Sequence, residues 1–129
     1  MTVNRFFVGA ILLAGTCALS TSIGAREGRE LQPLELGWEQ LFVVDYSVGE
    51  YCGAPAVQGY VRNISSYGFE HIRVLVDELD AAGEITAQHV VFVLGRLGGR
   101  DQLFFQVPVS PAAGYRARVF SYDRLDRKQ

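Results

Sequence analysis

Residues that build chemical sites are scarce in this chain. Its only histidines are His71 and His89, and neither has a second histidine or a cysteine at the spacing that a zinc site requires. A Gly-x-Ser-x-Gly turn, which would expose a nucleophilic serine, does not occur. The glycine-rich run at residues 94–100 lacks the Gly-x-x-x-x-Gly-Lys order of a phosphate-binding loop. These absences predict a protein that is not an enzyme and has no catalytic residues, metal or cofactor.

Positive charge is not in excess either. The chain has 12 basic and 14 acidic residues, a formal net charge of −2. A surface that binds nucleic acid needs clustered positive charge to neutralise phosphates, so we expect no nucleic-acid partner. Apolar residues make up 49% of the chain and charged residues only 20%, which predicts a folded domain.

Charge is absent altogether between Arg5 and Arg26. This run is apolar as far as Leu19 and ends in small residues, which is the layout of a secretory signal peptide. We therefore assign residues 1–25 to a signal peptide and expect export to the periplasm or cell envelope. Because twenty uncharged residues can just span a bilayer, an uncleaved anchor is the alternative. In either case we expect membrane contact only through this leader.

Cysteine occurs only at Cys17 and Cys52. The run Leu-Ala-Gly-Thr-Cys that ends at Cys17 has one residue more than the Leu-Ala-Gly-Cys of bacterial lipoprotein signals, so lipidation is a further alternative for the leader. If the leader is removed, Cys52 is left alone in an oxidising compartment, where a single thiol is either buried or paired with another molecule. No basic residue follows Cys52 in its Gly-Ala-Pro turn to activate the thiol, which favours a buried, inert cysteine.

After the leader, residues 26–40 show no clear period and are interpreted as a linker. Six segments with the alternating pattern of half-buried strands follow, at residues 41–48, 56–64, 71–79, 85–94, 102–109 and 115–123. Glycine-containing turns separate them, and Gly83 is placed to adopt the positive φ of a hairpin turn. Residues 124–129 form a charged tail.

Short strands at regular spacing predict an all-β fold, a single antiparallel β-sandwich over residues 41–123. In such a fold one face of each strand is buried. Alternation assigns these residues to the core: Val57, Gly59, Val61, Ile72, Val74, Val76, Leu103, Phe105, Val107, Val109, Tyr115, Ala117 and Val119.

Several of these residues match the pattern of a known family. The matching segments are Val57-x-Gly59-x-Val61-x-Asn63-x-Ser65, Ile72-x-Val74-x-Val76, Leu79-Asp80-x-x-Gly83 and Tyr115-Arg116-x-Arg118-Val119. Over residues 41–122 they resemble the FxLYD domain. The resemblance implies an immunoglobulin-like sandwich in an exported or membrane-tethered bacterial protein.

The resemblance also implies structural roles for four residues. Asn63 and Asp80 are expected to stabilise turns by bonding nearby backbone. Gly59 is expected to let a neighbouring chain or ring approach closely, and Gly83 to form the hairpin turn.

Apolar residues also lie on strand faces that alternation assigns to solvent. The candidates for an interaction surface are Phe42, Tyr46, Phe104, Phe120 and Tyr122, because exposed apolar patches mark contacts with other molecules. Two alternatives stay open. Residues 26–40 could cover some of these strands, with Trp38 as a lid, or a bulge could invert the faces.

Two classes of function fit this sequence. The favoured one is a non-catalytic cell-envelope module that binds a protein partner, or a second copy of itself, through a strand edge or the apolar face. The alternative is a small periplasmic ligand carrier or enzyme. It would use a pocket at one end of the sandwich, where Asp77, Glu78, His89 or Tyr115 converge.

Overall fold

A computed structural model describes residues 30–125 of the chain. A short 3-10 turn at Trp38–Gln40 precedes six strands: β1 (Phe42–Tyr51), β2 (Ala54–Asn63), β3 (Gly68–Leu79), β4 (Ile85–Val93), β5 (Gln102–Pro108) and β6 (Gly114–Leu125). Each predicted strand is present, and its ends differ from the prediction by three residues or fewer.

The strands form two antiparallel sheets, in the orders β1-β2-β5 and β4-β3-β6. The two sheets pack face to face around one apolar core, so the predicted all-β sandwich is confirmed. Every residue predicted to point inward belongs to this core or packs against it, apart from the side-chain-free Gly59.

Strand β1 presents its faces the opposite way from the prediction. Phe42 pairs with Asn63, and Val44 pairs with the core residue Val61. Directly opposed residues of antiparallel strands share a face, so Phe42 and Val44 point inward. Phe42 is 1% exposed and belongs to the core, contrary to its predicted place on an interaction surface.

The pairing of β3 with β6 has two irregularities, and one of them explains the unexpected direction of Tyr122. The register jumps between Glu70 and Arg73 on β3, and Phe120 on β6 has no paired partner. A bulge of this kind shifts the alternation by one residue. Phe120 keeps the outward direction that alternation predicts and is buried there by Leu75, Val90 and Leu31, whereas the bulge turns Tyr122 inward, where it packs against the core. Both were predicted to be exposed surface residues, and neither is.

Residues 31–34, part of the predicted linker, cross the outer face of the β4-β3-β6 sheet. The Leu31 side chain packs on the small outer cluster of Leu75, Val90 and Phe120. The backbone N–H of Leu34 donates to the Phe120 carbonyl at 2.8 Å. These residues, named the strap below, cover the sheet as the first of the two alternatives describes. Trp38 does not act as a lid, because it packs against the main core.

The predicted signal peptide, with Cys17 and the alternatives of an anchor or a lipid, lies outside the described residues, as does most of the charged tail. From residue 30 to residue 125 the structure has no helix that is both long and apolar enough to cross a membrane.

Candidate functional site

Asn63 joins two turns at one end of the sandwich. Its buried side chain accepts hydrogen bonds at Oδ1 from the Ser65 backbone N–H (2.9 Å) and the Ser65 hydroxyl (2.7 Å). Its Nδ2 donates to the carbonyls of Tyr67 (2.7 Å) and Gly98 (2.9 Å). Since one buried amide satisfies groups from two loops, this end of the fold is structurally fixed.

The β3–β4 hairpin is held by Asp80, whose Oδ1 accepts the N–H groups of Ala82 and Glu84, each at 2.9 Å. Gly83 adopts a φ of 85° in this turn, a conformation that side chains disfavour. At Gly59 an added Cβ would lie 1.8 Å from the Asp45 carbonyl oxygen, so β1 passes β2 too closely for any other residue. Asp80, Gly83 and Gly59 therefore have structural roles, and none of them forms part of a binding or reaction site.

The first candidate site is a buried pair that closes one end of the core. The Nε2 atom of His89 lies 2.7 Å from Oε2 of Glu78, and the two side chains are only 10% and 6% exposed. The Ser110 N–H donates to the same carboxylate oxygen (2.9 Å), and the Tyr115 hydroxyl donates to the Ser110 carbonyl (2.6 Å). The other ring nitrogen of His89, Nδ1, is buried without a hydrogen-bond partner.

Asp77 does not join this group, although the sequence analysis placed it there. Neighbouring residues of a strand point to opposite faces, and Asp77 lies on the outer side of β3. It is fully buried and accepts hydrogen bonds from Gln88 (2.8 Å), Arg116 (2.9 Å) and Arg118 (2.7 Å). Of the four predicted residues, the structure thus brings Glu78, His89 and Tyr115 together and separates Asp77 from them.

Gln88 connects this ionic cluster to the strap. Its side-chain oxygen accepts the Leu31 N–H at 2.8 Å, and its side-chain nitrogen donates to the Leu31 carbonyl at 3.1 Å. The amide therefore bonds both backbone groups of one residue, as a neighbouring strand would. Gln88 was not among the predicted site residues. Its place in the outward row of a strand rich in β-branched residues is the one signal in the sequence.

The second candidate site is a shallow groove of about 390 Å³ on the same outer face. His71 borders it at the β3 bulge, with a φ of 55° that is rare outside glycine. Its Nδ1 lies 2.9 Å from the carboxylate of Asp123. Burial, with the Glu35 carboxylate nearby, raises the pKa of the Tyr122 phenol in this groove.

Metal binding finds no support in the described part of the chain. No three histidine, cysteine, aspartate or glutamate side chains there are placed to share an ion. Cys52 is exposed, with a φ of 54°, and is not a free thiol. The expectation of a buried, inert cysteine is therefore wrong, because the β1–β2 turn leaves its side chain at the surface.

The third candidate site is the outer face of the β1-β2-β5 sheet. Tyr60 and Phe104, 41% and 52% exposed, lie side by side with ring centroids 5.5 Å apart. Phe104 was predicted to be exposed and Tyr60 was missed, although both stand in the outward row of their strands. Next to them, Gln106 donates from its side chain to that of Gln58 at 2.7 Å.

The last candidate is the free edge of β6. Between residues 30 and 125 no strand pairs with β6 on the side away from β3. Tyr46, predicted as an interaction residue, is 40% exposed and reaches across from β1. Its hydroxyl donates to the Tyr115 carbonyl at 3.4 Å, a long and therefore weak hydrogen bond.

Comparison of the chain with protein-family models, with curated proteins and with solved structures finds no match.

Proposed function

We propose that this chain is an exported, non-catalytic module of the cell envelope that binds a protein partner, or a second copy of itself, by strand addition at the edge of β6. In strand addition, an extended segment pairs with an exposed sheet edge through backbone hydrogen bonds. The single observation that carries the proposal is the absence of any strand next to β6 within residues 30–125.

The sheet order supports an immunoglobulin-like arrangement of the sandwich. Immunoglobulin-like sandwiches place their first, second and fifth strands in one sheet and continue the other sheet beyond the strand that corresponds to β6. Here the order β4-β3-β6 ends at that strand. An added strand from a partner would therefore complete a familiar architecture.

The edge is accessible over part of its length. The strap bonds β6 at Phe120. Over residues 114–119, the hydrogen bonds to β1 and to the strap are two long ones, from the Tyr46 hydroxyl to the Tyr115 carbonyl and from Arg118 to Gln32, each at 3.4 Å. Six residues are enough for a short strand pairing. Arg116, whose side chain is 44% exposed, would contact the added segment.

The alternative, a ligand carrier or enzyme, is supported by the convergence of Glu78 and His89 at one end of the core. A general base must reach the proton that it removes. Both side chains are nearly buried and bonded to each other and to Ser110, so their geometry favours a structural role.

The proposal is tested by site-specific photo-crosslinking of the full chain in cells that produce it. The crosslinker is placed at Arg116 on the edge of β6 and, as the matched control, at the exposed Thr86 on β4, the opposite edge strand of the same sheet. We expect a discrete product with one protein, or with a second copy, from position 116 alone. No product from position 116, or the same products from both positions, would overturn the proposal.

A further inference from the structure

We propose that the outer face of the β1-β2-β5 sheet, on a different surface from the β6 edge, binds a neutral carbohydrate chain. The register of the sheet fixes which side chains share this face, because directly opposed residues point the same way. One row consists of Asp45, Tyr60 and Phe104, and the next row consists of Ser47, Gln58 and Gln106.

Two aromatic rings form the apolar part of the face. Tyr60 and Phe104 meet edge to face at an interplanar angle of 67°, so the two rings make a corner and do not bury each other's faces completely. Sugars present one face of C–H groups, which packs on aromatic rings through dispersion and weak C–H contacts.

Amide groups form the polar part. The row of Gln58 and Gln106 lies two residues from the aromatic row, a separation of about 7 Å along the strands. A sugar chain that lies along the strands with one unit on the rings extends over the glutamines. Gln106 donates to Gln58 at 2.7 Å, and the amide oxygen of Gln106 and the amide nitrogen of Gln58 accept and donate hydrogen bonds with sugar hydroxyl groups.

The charge of the face indicates a neutral ligand. Its charged side chains include Asp45 and Arg62, which neutralise each other at 3.2 Å. Shallow space of about 330 Å³ is bordered by Asp45, Gln58, Tyr60 and Phe104, which suits a short oligosaccharide lying on a surface. A protein contact of standard size requires a larger apolar centre than two rings interrupted by glutamines provide.

The inference is tested by two-dimensional NMR titration of the full chain with cellohexaose and chitohexaose, after a screen on an array of neutral glycans. We expect chemical-shift changes confined to residues around Tyr60, Phe104, Gln58 and Gln106. Tyr60→Ala and Phe104→Ala should each weaken binding at least tenfold, whereas Tyr60→Phe should retain most of it. The matched control is Phe92→Ala, which removes an exposed ring from the other sheet; Phe92 is 60% exposed and Phe104 is 52% exposed.

Absence of binding to every neutral glycan of the array, or an equal loss in Phe92→Ala, would overturn the inference. The crosslinking experiment at position 116 is repeated in the Phe104→Ala variant. If the crosslinked product disappears, the inference is also overturned, because this face is then a protein contact. The glycan test and the crosslinking test are independent, since they use different surfaces and different variants.

Discussion

The carboxylate of Glu78 lies 2.7 Å from Nε2 of His89 and 2.9 Å from the backbone nitrogen of Ser110, so one buried side chain joins β3, β4 and the segment after β5. The three elements meet at one end of the core, where a buried polar group is stable only if it is hydrogen-bonded.

Removing the Glu78 carboxylate should destabilise the fold. Glu78→Ala leaves the buried His89 ring and the part-buried Ser110 N–H without the carboxylate that they share, which costs about 2–4 kcal/mol. Urea unfolding followed by circular dichroism measures this loss. Glu84→Ala, which removes an exposed carboxylate near the same hairpin, should change the free energy of unfolding by less than about 0.5 kcal/mol. Equal stability of the two variants would show that the buried pair contributes nothing.

Gly59 is expected to tolerate no side chain. In Gly59→Ala the new methyl group would lie 1.8 Å from the Asp45 carbonyl oxygen, and because this neighbour is backbone, β1 must move away from β2. We expect the free energy of unfolding to fall by about 3 kcal/mol. The control is Gly98→Ala, where an added Cβ meets nothing within 4 Å. Thermal unfolding of both variants is the measurement, and a stable Gly59→Ala protein would contradict the close approach.

The strap should detach when Gln88 is shortened. Gln88→Ala removes both side-chain bonds to the Leu31 backbone, so the amide protons of Leu31 and Leu34 should exchange with solvent at least tenfold faster. Hydrogen exchange followed by NMR measures this rate. Gln102→Ala, at an exposed position on β5, should leave the strap protected. Unchanged exchange in Gln88→Ala would show that the Leu31 side chain alone holds the strap.

Stability should decline in alkaline solution because of Tyr122. Its pKa is raised above 10.0 by burial, with a contribution from Glu35, so the folded state holds the phenol proton more tightly than the unfolded state. This contribution is complete below pH 10.0 and is lost as the pH rises through the folded-state pKa. Tyr122→Phe should show a shallower decline than the wild type when urea midpoints are compared at about pH 9 and about pH 11. Tyr67→Phe, at an exposed tyrosine, should decline as the wild type does.

The sequence predicts the strands and most of the core because alternation of apolar residues directly reflects burial in a sandwich. The prediction of which face a residue occupies fails where a local irregularity changes the alternation. Phe120 and Tyr122, two residues apart, would share a face in a regular strand, but the bulge in β6 sends them to different clusters. Such a bulge depends on how β3 and β6 pair, which has no signature in either strand alone.

Burial of the outer sheet face was also difficult to predict. Leu75 and Val90 look exposed by alternation, yet the strap covers them.

The residues of the candidate sites were predicted only in part. Phe104 and Tyr46 are exposed as expected. Tyr60 and Gln88 acquire their roles from neighbours on other strands, and these contacts cannot be predicted from the spacing of residues within one segment.

Hydrogen exchange over β6 in the crosslinked or co-purified complex tests the central claim most directly. In the isolated protein, alternate amides of residues 114–119, those that do not bond β3, should exchange rapidly. In the complex, the account predicts that these amides become protected at every second residue, the pattern of an added strand. Protection that appears elsewhere on the sandwich while these amides still exchange rapidly would contradict it.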